Sequence, residues 1–410
     1  MATLHPFRAL RPQPNEAAHI AAVPYDVVNT DEARELAAGN PLSFLHVSRA
    51  EIDLPAGTDP HADAVYERAA ENFETLKRTA LVLEEQPSVY FYRLRAGAHE
   101  QTGIGGCYSL DEYDRDIIKK HERTRRDKED DRTRHMLALG AQTGPVFLTY
   151  RAAPAIDQIE TRVTAGKPLY DFTAADGVQH TLWRVEGDDR DALAGAFARI
   201  PALYIADGHH RAASAARARA DIRDRAITRT SLGDDADYTT FLGVAFPHDQ
   251  TQVLPYNRLV SDLGGRSPEA FLEAVRERFE VEAGPASPQR RGEMAMYLRG
   301  GWHTLRPRAR ADESDVIGSL DVSVLQDQLL APVLKIADVR TDKRIDFVGG
   351  ARGTAELEKA VDSGKAAVAF SLYPVSVADL MAVSDAGEIM PPKSTWFEPK
   401  LRDGLLIHVI

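Results

Sequence analysis

The stretch that most restricts what this chain can fold into is Ala202 to Ala220. Apolar Leu203, Tyr204 and Ile205 break at Asp207-Gly208-His209-His210-Arg211 and resume as the Ala- and Arg-rich run AASAARARA. The first piece suits a short buried strand, Asp-Gly suits a tight turn, and the last is built from strong helix formers, so the segment predicts strand, turn and helix. Such a junction brings the free amides of a helix start to the end of a strand, where the macrodipole favours an anion. Asp207 alone could cap the helix, and Gly208 could serve the turn. His209, His210 and Arg211 need another reason, because a first turn disfavours positive charge; a bound anion, phosphate above all, supplies one. Neighbouring histidines on a helix diverge by roughly 100°, which suits a single zinc ion poorly, and no HExxH or CxxC completes such a site.

Composition sets the class. The 410 residues, 43% hydrophobic and 27% charged, are ordinary for a globular chain and long enough for two or three domains or one large one. A formal net charge of -12 argues against general binding to nucleic acid or to anionic membranes, while leaving room for a local basic cleft. Cys107 is the only cysteine, which rules out an intrachain disulfide and fits a reducing compartment. The first residues carry prolines and charges where a secretory signal needs an apolar run, and nowhere do 18 apolar residues follow one another. The expectation is a cytoplasmic protein with no membrane and no nucleic-acid partner.

Periodicity gives an α/β (α+β) pattern of mixed sheets with helices. Asn29-Thr30-Asp31 reads as a helix cap and first turn, Ser43 to Val47 as a strand, and His61 to Leu83 as a helix. Two strands follow, Ser88 to Leu94 and Thr102 to Tyr108. The GIGGC inside the second does not open a helix, so it is no dinucleotide fingerprint, and no GxxxxGK[ST] exists. Asp171 to Val185 has hairpin character, Tyr238 to Phe246 and Ala366 to Leu372 read as strands, and Asp321 to Ile336 as core at helical spacing.

Four further stretches carry chemistry. Asp26 sits in a Pro-Tyr-Asp turn, where most aspartates serve the turn itself. Lys119 to His135, KKHERTRRDKEDDRTRH, contains no apolar residue; a solvated helix face or exposed loop is the usual reason. A segment that orders around a multiply charged substrate would look the same. In that case His121, Arg126, Lys128 and Arg132 would contact anions, Glu122 and Thr124 would join them in binding phosphate or substrate, and Glu122 or Asp131 would be open to a metal. Arg258, in LPYNRLV, is a candidate phosphate contact. The Pro-rich stretch from Met390 presents Lys393, Ser394, Thr395 and Lys400, cations and hydroxyls suited to phosphate oxygens, or else is a loop anchored by Trp396 and Phe397.

PYDVV at 24 to 28, HERTRRDKEDDR at 121 to 132, ADGHHR at 206 to 211, LPYNRLV at 254 to 260 and MPPKSTWFEPKL at 390 to 401 occur in this order over nearly the whole chain. Together they resemble the domain-of-unknown-function family 1015 of bacteria and archaea. The resemblance implies one family-wide unit over 1–410, with soft subdivisions at 1–195, 196–310 and 311–410. It also implies a site built on the DGHHR corner, which is similar to that of the ParB and sulfiredoxin-like superfamily. Kinases acting on free serine occur in that wider group, and relatives have been linked to serine phosphorylation with pyrophosphate as donor. This chain has Asn257 where the LP-x-x-R segment often carries His.

The expected function is therefore a small-molecule kinase, a phosphotransferase with an alcohol acceptor. It would pass a phosphoryl group to the hydroxyl of free L-serine from pyrophosphate, or from ATP or ADP. Asp207 would serve as base or as a magnesium carboxylate together with Asp131, with His209, His210 and Arg211 on the donor phosphates and Asp26 as the alternative base. The partners would be serine and pyrophosphate or a nucleotide, and a homodimer stays open. Two alternatives remain at this point: a regulatory protein that senses a phosphorylated metabolite without turnover, and a ParB-like nucleotide hydrolase.

Overall fold

The computed structural model describes residues 1–227, 237–309 and 312–410. They form two compact units, Met1–Thr251 with Pro399–Ile410, and Gln252–Glu398. A boundary after residue 195 would cut the first sheet, because the strand ending at Asp207 pairs with strands on the other side of it.

The first unit is built on a nine-stranded sheet. Its strands in chain order are β1 (Leu4–His5), β2 (Val89–Ala96), β3 (His99–Ser109), β4 (Ile118–Lys119), β5 (Val146–Tyr150), β6 (Tyr170–Thr173), β7 (Gln179–Val185), β8 (Leu203–Asp207) and β9 (Thr240–Pro247). The order across the sheet is β4-β8-β5-β9-β3-β2-β7-β6, with β1 also on β3. β8 runs parallel to β4 and β9 parallel to β5; the other pairs are antiparallel, so the sheet is mixed and the α/β (α+β) class holds. Seven helices are used below: α1 (Thr30–Ala37), α2 (Leu45–Ser48), α3 (Asp63–Thr79), α4 (Arg126–Leu139), α5 (Pro154–Thr164), α6 (Gly187–Phe197) and α7 (His209–Ile227).

Alternation along the strands buries Val89, Phe91, Ile104, Tyr108, Leu148, Leu203 and Ile205 in one core with Phe197 of α6 and Phe241. Each such large side chain contributes about 1.5–3 kcal/mol. Alanines of α7 (Ala212, Ala215, Ala218) belong to the same core, which lets this helix lie close on the sheet. The glycines of GIGGC have a packing reason too. A Cβ on Gly103 would meet Val244 Cγ1 at 2.7 Å and the Phe246 ring at 2.8 Å, and one on Gly106 would meet Leu4 Cδ1 at 2.5 Å.

α1 starts as its sequence predicts, with Asn29 accepting from Asp31 and Glu32 and a complete capping box. The strand expected over Ser43 to Val47 is instead a helical turn. Phe44, Leu45 and Val47 are fully buried in the core that includes Phe73 of α3, and Ser43 Oγ accepts from the Leu45 amide at 3.3 Å. A short apolar run fits a strand or a buried helical turn equally well, and here the hydroxyl that serves the turn decides between them.

α4 bears out the solvated-face reading of 119–135 on one side, where Arg126, Asp127, Asp130 and Arg134 are exposed, and departs from it on the other. It buries Asp131, Thr133, His135, Met136 and Leu139, so polar groups form much of its inner face. Asp131 Oδ1 accepts from Tyr66 at 2.7 Å, His135 Nε2 meets the Val47 carbonyl at 2.9 Å, and Ser214 of α7 donates to the Glu129 carbonyl at 3.2 Å. Satisfied hydrogen bonds do here what an apolar stripe does elsewhere.

The second unit holds a six-stranded antiparallel sheet. Its strands are β10 (Tyr256–Val260), β11 (Phe279–Ala283), β12 (Met294–Leu298), β13 (Gly301–Pro307), β14 (Ile345–Gly349) and β15 (Val368–Leu372), in the order β11-β13-β12-β15-β10-β14. Asp321 to Ile336 is core, as its spacing predicts; it is α-helical to Leu325 and widens to a π-turn over Gln326–Leu330.

The close approach at Gly103 can be tested directly. Gly103→Ala should cost about 1–3 kcal/mol, the scale of overpacking, read as a lower urea midpoint with an unchanged slope. An unchanged midpoint would show that β3 and β9 are not packed this tightly.

Candidate active site

β8 and α7 make the predicted corner. The ladder between β8 and β5 shifts register between Ile205 and Asp207, a bulge of the kind that re-aims a side chain at a strand end. Gly208 follows at φ +96, a conformation that favours glycine, and a Cβ there would meet Arg211 Nε at 3.0 Å. The Ala212 amide donates to the Gly208 carbonyl at 3.0 Å, so Gly208 occupies the helix-cap position and Asp207 lies one residue outside it. The partners of the Asp207 carboxylate are cations: Lys400 Nζ on Oδ2 at 3.0 Å and Arg211 Nη2 at 3.9 Å from Oδ1. Burial pushes this carboxyl up, but the Lys400 ammonium and the Arg211 guanidinium outweigh it and hold it well below the usual carboxylate range.

Arg211 is buried, with Nη1 donating to the Pro145 carbonyl, while Nε has no partner among the described residues. Three carboxylates act on it: Asp26, Asp207 and Asp403. Asp26 is exposed; Asp403 is 3% exposed, and its Oδ1 has no partner among the described residues. Burial raises the Asp403 carboxyl to about 7 against the pull of Arg211, and the negative charge of Asp26 adds to the rise. The approach to Asp403 is tight enough that a Cβ on Gly144 would lie 2.7 Å from its Oδ1.

The two histidines have a different task from the one expected. His209 Nε2 accepts from the His121 amide at 3.4 Å and His210 Nε2 from the Arg125 amide at 3.0 Å, so both rings hold the HERTRR segment against the corner. Accepting at Nε2 requires a neutral ring with its proton on Nδ1, and His209 Nδ1 lies 3.8 Å from Glu122 Oε2. Burial, with His121 beside it, drives His209 well below its ordinary value. Burial lowers His121 to about 4, and His210 is lowered as well, again chiefly by burial. As cations on donor phosphates His209 and His210 therefore do not fit; as neutral acceptors that position residues 121–125 they do. His121 packs its ring edge-on to His209 with centroids 4.5 Å apart.

Of the other expected residues, Thr124 donates to Glu129, and Lys128 and Arg132 line a cavity beside the corner. Asp131 is fully engaged: Oδ1 by Tyr66 and by His61 at 3.1 Å, Oδ2 by Arg132 at 2.7 Å. Burial would raise its carboxyl, but Arg132, Tyr66 and His61 together bring it down to about 2. Both of its oxygens are thus taken up by protein groups. Among the described residues no group of three or more His, Cys, Asp or Glu side chains could hold a metal ion.

Lys400 follows the second unit in sequence and belongs to the first, where it reaches Asp207. Lys393, Ser394, Thr395 and Arg258 belong to the second unit. There Arg258 is buried; Nη1 donates to the Tyr256 carbonyl and Nη2 to the Lys393 carbonyl at 3.0 Å. Ser394 Oγ donates to the Pro391 carbonyl at 2.6 Å, and Asn257 Oδ1 accepts from the Leu372 amide at 3.3 Å. Arg258 is thus a clamp on the 390–395 loop rather than an open phosphate contact; burial lowers its guanidinium to about 10.

A family model described as "Protein of unknown function (DUF1015)" matches residues 4–323. The chain belongs to that family. A search of curated proteins finds no match. Among solved structures, a free serine kinase in complex with AMP is similar at 14% identity and a TM-score of 0.36, covering 73% of this chain and 91% of that one. A conserved hypothetical protein from Pyrococcus furiosus is similar at 15% and 0.35, covering 74% and 94%. SbnI with a C-terminal truncation from Staphylococcus aureus is similar at 12% and 0.37, covering 73% and 85%. At such scores the site has to be read from its own residues. No described helix is long and apolar enough to cross a membrane.

Asp403, Tyr25 and Gly144 were not legible as site residues. The one signal was Asp403-Gly404, a turn dipeptide after the lysine-bearing loop; Gly404 has φ +85. Because the folded state favours the neutral Asp403 acid, the stability it contributes is fully present below about pH 4 and is lost as pH rises through the folded value of about 7. Asp403→Asn cannot ionise, so its melting temperature should fall less than the parent's between about pH 5 and about pH 8. Parallel falls would show that Asp403 ionises normally.

Proposed function

We propose that the β8–α7 corner transfers a phosphoryl group to the hydroxyl of a small molecule, with free L-serine as acceptor and pyrophosphate or a nucleotide as donor. The observation that carries this reading is Asp207, an ionised, partly buried carboxylate held between Lys400 and Arg211 beside the free amides of a helix start. Phosphoryl transfer needs cations and amides on the donor's oxygens and a carboxylate that orients the acceptor. The choice of serine and of pyrophosphate rests on the motif resemblance.

In this mechanism the donor's phosphates lie on the first turn of α7, where the amides of His209, His210 and Arg211 have no intrahelical acceptor. The acceptor oxygen attacks the terminal phosphorus and the bond to the leaving phosphate breaks. The hydroxyl proton passes late to Asp207 and from there to the released phosphate. A carboxylate with a depressed pKa is a weak base, and that suffices in a loose transition state, where orientation matters more than early proton removal. Neutral His209 and His210 keep residues 121–125 in place. Magnesium would enter as the donor's counter-ion, for which one or two protein carboxylates suffice, and no step depends on it.

Turnover of Asp207→Asn beside the parent, with serine and either donor, tests this reading. Phosphoserine formation should fall roughly 10²-fold or more. Melting should fall only moderately, since Asn keeps the size of the side chain and Asp26 and Asp403 still act on Arg211. Full turnover in a folded variant would reduce Asp207 to a structural partner of Lys400.

A further inference from the structure

A cavity of about 130 Å³ opens beside the corner, against α3 and α4. A smaller one, lined by Arg211 and Asp403, shares Tyr25, Ser48 and Arg132 with it, so the two are neighbours across the Arg132–Tyr25 stack, in which the guanidinium lies 4.1 Å from the ring centroid. The walls of the larger cavity are of both signs. Lys128 Nζ and the two terminal nitrogens of Arg132 make no hydrogen bond with the described residues, and the buried Ser48 Oγ has no partner among them. On the negative side, Glu51 is 4% exposed. Its Oε1 meets Arg49 Nε at 2.9 Å and Thr30 Oγ1 at 3.2 Å, whereas Oε2 makes no hydrogen bond with the described residues.

A buried hydroxyl without a partner, beside cations and a carboxylate oxygen that no described residue engages, leaves these groups to water or to a ligand. At about 130 Å³ the cavity is smaller than the roughly 300–1,000 Å³ of pockets that take drug-sized ligands, which suits a free amino acid with a short side chain better than a nucleotide. Walls of both signs suit a zwitterion better than pyrophosphate, which would bring a multiply charged anion against Glu51. We infer that this cavity is the acceptor pocket and selects an α-amino-acid zwitterion. Lys128, Arg132 and Ser48 receive the carboxylate, Glu51 Oε2 receives the ammonium, and the side chain is directed past Tyr25 toward Arg211 and Asp207. The inference deepens the kinase reading and rests on it for the meaning of "acceptor"; binding itself can be measured without any donor.

The experiment is calorimetric titration of the intact chain, without donor, by L-serine, L-alanine, ethanolamine and 3-hydroxypropionate, repeated on Lys128→Ala and Glu51→Gln with melting curves as a folding control. L-Serine and L-alanine should bind. Ethanolamine, which lacks the carboxylate, and 3-hydroxypropionate, which lacks the ammonium, should each bind about tenfold or more weakly, and each variant should weaken L-serine by a similar factor. Lys128 lies half-buried on a helix surface, so its variant keeps the test open even where Glu51→Gln fails to fold. No binding of either amino acid, equal binding of ethanolamine, or unchanged L-serine affinity in Lys128→Ala overturns the pocket. Amino-acid binding with the expected losses but no phosphoserine from either donor leaves the pocket standing and removes the kinase reading. Phosphoserine formation with an unchanged KM for serine in Lys128→Ala does the reverse.

Discussion

A buried guanidinium without matching negative charge would be too costly to keep, and much of the first unit is arranged so that Arg211 never lacks it. Asp207 comes from the end of β8, Asp26 from the turn before α1, and Asp403 from the C-terminal stretch; all three act on this one side chain. The arrangement ties remote parts of the chain together. The backbones of Ala22 and Asp403 pair in both directions, at 2.9 and 3.2 Å, which carries the Asp26 turn and the Asp403 loop to the same place. The three acids respond differently. Asp207 also has Lys400 and stays ionised, whereas Asp403, buried with an oxygen unpartnered, is pushed to about 7. One corner therefore holds a carboxylate fit to orient a hydroxyl and a carboxyl poised to change charge near neutral pH.

Polar groups likewise position the segment that covers this corner. His209 and His210 accept backbone amides of residues 121 and 125, and α4 then places Asp131, Arg132 and His135 inward. The unusual polarity of 119–135 thus belongs in part to a solvated face, on which Arg126, Asp127, Asp130 and Arg134 are exposed, and in part to an inner face that is hydrogen-bonded. Directional hydrogen bonds of this kind favour one geometry, whereas an apolar face could slide.

The sequence made the strand-turn-helix corner, the capping box at Asn29, the α/β class and the family legible, because each depends on local residue chemistry. What it could not convey was pairing over distance. Nothing at Lys400 announces Asp207, 193 residues away, and nothing in HERTRRDKEDDR tells which of its charges turn inward. The histidines were misassigned because their protonation depends on burial, which a string of letters does not contain. Arg258 was misassigned for a related reason: a buried arginine that clamps a loop reads the same in sequence as one that meets phosphate. The strand expected over Ser43 to Val47 failed because a five-residue stretch with three apolar side chains carries no period of its own.

The central claim is that the first turn of α7, with Arg211 beneath it and Asp207 beside it, is an anion site facing an acceptor. A crystal structure of the protein with imidodiphosphate, an analogue of pyrophosphate that resists transfer, tests it most directly. The predicted result places a phosphate within about 3 Å of the amides of residues 209–211, with a terminal oxygen near Asp207. Imidodiphosphate bound elsewhere at saturating concentration, with this helix start empty, would contradict it.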